Sequence, residues 1–225
     1  MAADLLLDRA IATPLGVVGM VILFATWKSK SGKLENLAPI GWVLTGLYFF
    51  NDAWFYASKE DIILTVMSGL TLPGAVAISV WERKVTDDSD AKALRWFRGA
   101  VSVAGLPYIL IAHVPILNVL AIWFVAWQSA AFLSFAGGSK VTLGDTYARP
   151  ANGEEVLWES WEGNKWFLTE EMSEYSFHTE LLVNGEPIFI NFVLACTAIQ
   201  SIIIFVGAIS VLEVDWRKRV RALFI

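Results

Sequence analysis

Charge is scarce in this chain, and so are cysteine and histidine. Only 17% of its 225 residues are charged, against roughly 25% in water-soluble domains. A single cysteine excludes a disulfide framework. Two histidines, His113 and His178, are too few for a usual zinc centre, so no metal and no cofactor is expected. There is no basic excess either: 17 Lys and Arg stand against 22 Asp and Glu, which gives a net charge of −5. That excludes the electrostatic footprint of a nucleic-acid module. The sequence has no glycine-rich phosphate loop, Cys-x-x-Cys, His-Glu-x-x-His or serine elbow. No internal repeat or low-complexity tract is visible. What it has is apolar mass: 56% hydrophobic residues, with eleven Trp and fourteen Phe. The composition reads as an all-α polytopic membrane protein.

A spanning helix needs about 20 apolar residues. Ala10–Trp27 is uncharged and bracketed by Arg9 and Lys28. Its preceding segment holds Asp4 and Asp8, and no small-residue cleavage site follows, which argues against a cleaved signal peptide. Ala38–Ala57 is interrupted only by Asn51 and Asp52, Ile62–Val80 contains Pro73 as an expected kink, and Ile188–Leu212 is 25 residues without charge. Gly99–Phe135 is uncharged for 37 residues and contains His113 and two prolines. It reads as one span over 96–114 plus a re-entrant or interfacial segment over 116–135. The alternative is two short helices in a tight hairpin at His113–Pro115. About five to six spans plus the start of another follow.

Basic residues collect in cytoplasmic loops. Lys28, Lys30 and Lys33 follow the first run. Arg83, Lys84, Lys92, Arg95 and Arg98 follow the third, and Arg217, Lys218, Arg219 and Arg221 follow the last. A single crossing by Gly99–Phe135 puts all three clusters, twelve of the 17 basic residues, on one side. The N-terminus is then outside.

The expected organisation is a membrane region over 1–136, an extracytoplasmic cap over 137–187, and a final helix with its basic turn over 188–225. The cap carries ten acidic residues against Lys140, Arg149 and Lys165. Thr142–Leu143 and Phe177–Val183 have strand character, and Asn184-Gly185 is a two-residue hairpin signal before Ile188–Phe189. Trp158, Trp161 and Trp166 suit a small cap of strands and loops resting on the bilayer interface. Arg221-Ala222-Leu223-Phe224-Ile225 reads as the start of a further apolar run, so the chain is expected to be a C-terminally truncated portion.

The residues with chemical potential lie in the last run. If it is one helix, Cys196, Thr197, Gln200 and Ser201 share a face of about 140°, and Gly207 continues it. A Gln in hydrocarbon is costly without partners, so this face is expected to look into the bundle or a wet cavity. A lone cysteine on an apolar helix is commonly an inert small hydrophobe. A catalytic thiol needs a base or a cation to form the thiolate. Asp52 and His113 fall at similar depth in this topology. Asp52 is an intramembrane carboxylate that needs a partner. His113 is also explained as a helix-end residue ahead of Pro115.

Ala195-Cys196-Thr197-Ala198-Ile199-Gln200-Ser201, running on to Phe205-Val206-Gly207, resembles the exosortase/archaeosortase superfamily, and within it the archaeosortase A family. Trp158, Trp161, Asn164-Lys165-Trp166-Phe167, Thr169-Glu170-Glu171 and Trp216-Arg217-Lys218-Arg219 resemble it too. The similarity covers residues from about 40 onward. It implies a membrane cysteine transpeptidase with Cys196 as nucleophile. Its partners would be surface-protein precursors with a C-terminal sorting signal, a transmembrane helix and a basic tail. The cleaved protein would pass to a membrane lipid on the extracytoplasmic side. The family's proton-donating Arg lies on a later span that has no counterpart in this chain, so only Cys196 carries over and the chain alone is expected to be inactive. A non-enzymatic multi-pass scaffold or transporter subunit, with Cys196 as packing, is the competing reading. An intramembrane protease that uses water as acceptor is another.

Overall fold

Where the apolar runs lack strand-forming turns they form helices, in a computed structural model that describes residues 9–29, 32–151, 154–168 and 172–223. Asp4, Asp8, Lys30, Thr169, Glu170, Glu171, Phe224 and Ile225 lie outside the described residues, as does the side chain of Cys196. The chain runs α1 (Arg9–Lys28), α2 (Gly32–Glu35), α3 (Ala38–Ser58), α4 (Ile62–Gly69), α5 (Thr71–Lys84), α6 (Asp88–His113) and α7 (Pro115–Gly137). Strands β1 (Val141–Pro150), β2 (Val156–Leu157), β3 (Met172–Val183) and β4 (Glu186–Val193) follow. A 3-10 turn (Leu194–Thr197), α8 (Ile199–Ser210) and α9 (Trp216–Leu223) complete it.

The fold is mostly helical with one small antiparallel sheet. Three helical segments, Ile11–Lys28, Ile62–Lys84 and Pro115–Gly137, are long and apolar enough to cross a membrane, which points to membrane association. The helix of Ile62–Lys84 is interrupted at Leu70, three residues before the expected kink at Pro73. Pro73 has no N–H to offer the carbonyl four residues back, and its ring crowds that turn.

The described residues divide into two compact units, one up to Ile109 together with Ile203 onward, the other Leu110–Ile202. In the first, α3 packs between α1 and α5. Gly46 makes room on α3, because a Cβ there would lie 2.5 Å from Cβ of Ala75. A Cβ on Gly207 of α8 would lie 3.0 Å from Cβ of Ala104 on α6, so this glycine does permit a close helix approach. Met20, Tyr48 and Ile109 form one buried cluster, and Leu23, Trp42 and Ala75 another.

The ends of several helices gather at one end of this unit. Trp42 stacks on Phe97 with centroids 5.2 Å apart. Arg98 Nε lies 2.8 Å from Glu82 Oε1, and Arg95 pairs with Glu35 at 3.0 Å. Trp96 Nε1 donates to Ala208 O at 3.0 Å. A cavity of about 300 Å³ is lined by Trp27, Lys92, Trp96, Val211, Leu212 and Glu213. The last turns of α1, α5 and α8 therefore adjoin the N-terminal parts of α3 and α6, and Lys28, Arg83, Lys84, Lys92, Arg95 and Arg98 lie toward that end.

In the second unit the strands pair antiparallel in the order β2-β1-β3-β4. Asn184 and Gly185 have φ of 53° and 89°, which gives the tight hairpin that puts Val183 opposite Glu186. The apolar run expected to be one helix over Ile188–Leu212 is therefore split: its first six residues are strand. Isoleucine, valine and phenylalanine suit a pleated surface as well as a buried helix, and the hairpin turn decides between them. α8 keeps twelve residues, about 18 Å of helix, which falls short of a bilayer core of about 30 Å.

Helix α7 lies along one face of the sheet. Pro115 takes its first position, where a missing N–H costs nothing. Val119 and Ile122 pack with Ala148, Met172 and Phe177, and Ala126 and Ala130 pack with Leu181. The rest of α7 stays apolar and exposed, with Phe124, Trp127 and Phe135 outward. Trp158 and Trp161 are buried in the sheet's core against Phe177, not at an interface as expected; Trp166 is 67% exposed. Ring stacking between the two indoles and edge contact with Phe177 hold them inside.

Candidate functional site

The Cys196 backbone sits in the short turn between the last strand of the sheet and the first turn of α8. Its neighbours fix that turn. Thr197 is buried, and its Oγ1 donates to Leu194 O at 2.6 Å and accepts the Ile199 N–H at 3.3 Å. A side-chain oxygen thus satisfies one of the N–H groups that a helix start leaves unpaired. Ala198 has φ of 48°, a left-handed conformation that costs a residue with a Cβ about 1–2 kcal/mol. Strain of this kind is held only where surrounding contacts over-determine it, and it clusters at functional positions.

The expected single polar face is not formed. Cys196 and Thr197 belong to the 3-10 turn, while Gln200 and Ser201 open α8 as exposed residues beyond the left-handed Ala198. The hairpin holds the chain in the sheet as far as Val193, so a continuous helical face cannot start upstream of it. What the arrangement offers is a cysteine backbone three residues before the first residue of α8, a helix N-terminus whose dipole favours negative charge.

The turn packs on α7. Leu194 borders the apolar cluster that Ile116 and Leu168 also border. Ile116 belongs to the corner between α6 and α7, and Leu168 to the loop between β2 and β3 that bonds to that corner. There Leu168 N donates to His113 O, and Ile116 N donates to Lys165 O at 3.0 Å. Asn164 Oδ1 accepts the N–H groups of Trp166 and Phe167 and shapes this loop. The structure therefore brings the His113 corner, the Asn164–Leu168 loop and the Cys196 turn to the border of one cluster. Asp52, half-buried on α3, belongs to the other unit.

His178 is the residue that sequence reasoning passed over, having weighed it only as a zinc ligand. It lies on β3 with Val193 as its partner on β4, three residues before Cys196. It is 2% exposed, and its Nε2 is 3.6 Å from Glu155 Oε2. Its Nδ1 is buried without a hydrogen-bond partner. Tyr147 stacks on it at 5.2 Å, and Arg149 Nε donates to Glu155 Oε1 at 2.7 Å. Burial pushes the His178 pKa below its ordinary value; Glu155 opposes that and Arg149 reinforces it. Burial, then the carboxylates of Glu180, Asp145 and Glu155, raise that of Tyr147. No signal in the sequence marks His178, because its environment comes from strand pairing. Among the described residues no group of three His, Cys, Asp or Glu is placed to hold a metal ion.

Comparison with protein families, with curated proteins and with solved structures finds no match for this chain.

Proposed function

We propose that this protein is a membrane cysteine transpeptidase of the archaeosortase type, acting on surface-protein precursors that carry a C-terminal sorting signal. The Cys196 sulfur forms a bond to the carbonyl carbon of the scissile peptide. The C–N bond breaks, and the leaving amine takes the proton that the thiol gives up. A lipid nucleophile then attacks the thioester, the C–S bond breaks, and the thiol regains a proton. In the same proposal the protein crosses the membrane about five to six times, with the basic end of its helices inside and the acidic sheet outside.

The observation that supports the reading best is the position of the motif. Ala195-Cys196-Thr197 lies in the turn that follows the sheet of the acidic segment, and Ile199-Gln200-Ser201 begins an apolar helix. The scissile bond of a membrane-anchored precursor lies at the same kind of boundary, just outside its own span. A thiol before a helix N-terminus is easier to ionise.

The test is precursor processing in the membrane. In a full-length protein that includes the later span with its Arg, Cys196→Ala should insert normally and leave precursors at full length, while the unsubstituted full-length protein yields shortened, lipid-linked product. Normal processing by Cys196→Ala would refute the proposal and leave a scaffold with a packing cysteine. A shortened product without lipid would identify hydrolysis instead of transfer.

A further inference from the structure

Helix α9 separates its side chains by kind. At about 100° per residue, Trp216, Val220 and Leu223 fall within an arc of about 60°. Arg217, Lys218 and Arg221 spread over about 100° on the other side. The apolar stripe is not packed into the unit: Trp216 is 64% exposed and Val220 42%. Four charges in eight residues exclude a spanning role for this stretch.

The fourth cation fixes where this helix lies. Arg219 Nε donates to Val214 O and its Nη1 donates to Ser210 O, both at 3.0 Å. The Ser210 carbonyl is one that the end of α8 leaves without a helical partner, and Val214 follows in the connection to α9. Arg219 thus fastens α9 to the point where the apolar α8 stops. That point belongs to the basic end of the unit, since Val211 and Leu212 share a cavity with Trp27 and Lys92. Lys28, Arg83 and Lys84 are exposed there too.

We propose that α9 is an interfacial helix that binds anionic lipid headgroups. Trp216, Val220 and Leu223 sink to the boundary of the acyl chains, and Arg217, Lys218 and Arg221 engage headgroup phosphates. The charge argument selects this occupant. An apolar stripe alone would fit any bilayer, but a dense cationic face beside it fits a negative surface. Each surface cation is worth about fivefold in partition, so three give a bound-to-free ratio about a hundredfold higher on an anionic bilayer than on a neutral one.

The single native cysteine makes a site-specific test practical. A bimane probe at Leu223→Cys, in a Cys196→Ser background, reports whether the stripe is in water. The full-length chain is placed in nanodiscs of phosphatidylcholine alone or with about one-third phosphatidylglycerol. Blue-shifted emission and weak iodide quenching are expected in the anionic discs only. Both should revert in about 1 M salt, where screening acts over about 3 Å, and in the Arg217→Gln/Lys218→Gln/Arg221→Gln variant. Equal shielding in neutral discs, or shielding that survives salt and the triple change, would overturn the proposal. As a check without substitutions, phosphatidylglycerol added to the parent protein in neutral detergent should raise its melting temperature. Phosphatidylcholine should do so less, and an equal response to both would count against the proposal.

Discussion

The Glu82–Arg98 pair offers a sharp test of how the helices of the first unit are held. The side chains are 11% and 7% exposed and approach to 2.8 Å. At an effective dielectric of about 20, that separation gives a gross attraction of about 6 kcal/mol. Removing both groups from water costs several kcal/mol each, so the net contribution is small. Alignment is also poor: both Glu82 carboxylate oxygens and Arg98 Nε and Nη1 are buried without a hydrogen bond. The pair is therefore weak as a bond but costly to break. Glu82→Leu should destabilise the protein by about 3–5 kcal/mol, because it leaves a buried guanidinium uncompensated. Glu82→Leu/Arg98→Met should recover most of that, or exceed the parent. Reversible unfolding in mixed micelles, followed by circular dichroism, measures all three variants with the Arg98→Met single change. A neutral Glu82→Leu, or a double variant equal to the sum of the singles, would refute the reasoning.

Two further perturbations address packing and the sheet. Gly46→Val should cost about 1–3 kcal/mol by forcing α3 from α5, read in the same unfolding assay; an unchanged midpoint would mean that the two helices separate freely. His178 has a folded pKa below its ordinary 6.5, so the unfolded chain binds the proton more readily. Its contribution to stability is complete above 6.5 and is lost as pH falls through the lowered folded value. A pH series of melting temperatures should drop in that window for the parent and flatten there for His178→Phe. Parallel curves would show that His178 titrates as it does in the unfolded chain.

The sequence read helices well where an apolar run had no competing turn. Ala10–Trp27 and Ala38–Ala57 agree with α1 and α3 to within a residue or two. It also located the hairpin at Asn184-Gly185, because positive φ at both positions has a residue signature. It did not carry that hairpin far enough. Beyond Phe189 the run reads as membrane helix, although the Asn184-Gly185 turn already commits Asn191, Phe192 and Val193 to pairing with β3. Burial inside the sheet was illegible for a different reason. Trp158, Trp161 and His178 owe their surroundings to residues far along the chain, on α7, β1 and β4.

The shortened helix changes the meaning of the cysteine motif. On one long helix, Cys196 would have shared a polar face with Gln200 and depended on neighbouring spans for its orientation. In the structure the sheet and the helix meet at Cys196, and the backbone there is fixed locally, by Thr197 bonding across the turn and Ala198 held left-handed. If Cys196 is the nucleophile of the proposed transpeptidase, its backbone is held by the sheet and does not depend on neighbouring spans. The same junction puts β3, with His178 facing Glu155, one hairpin away from the thiol backbone. Chemistry at Cys196 would therefore depend on the sheet as much as on the spans, and changes in the β3–β4 ladder should be felt there before changes in α1 or α3.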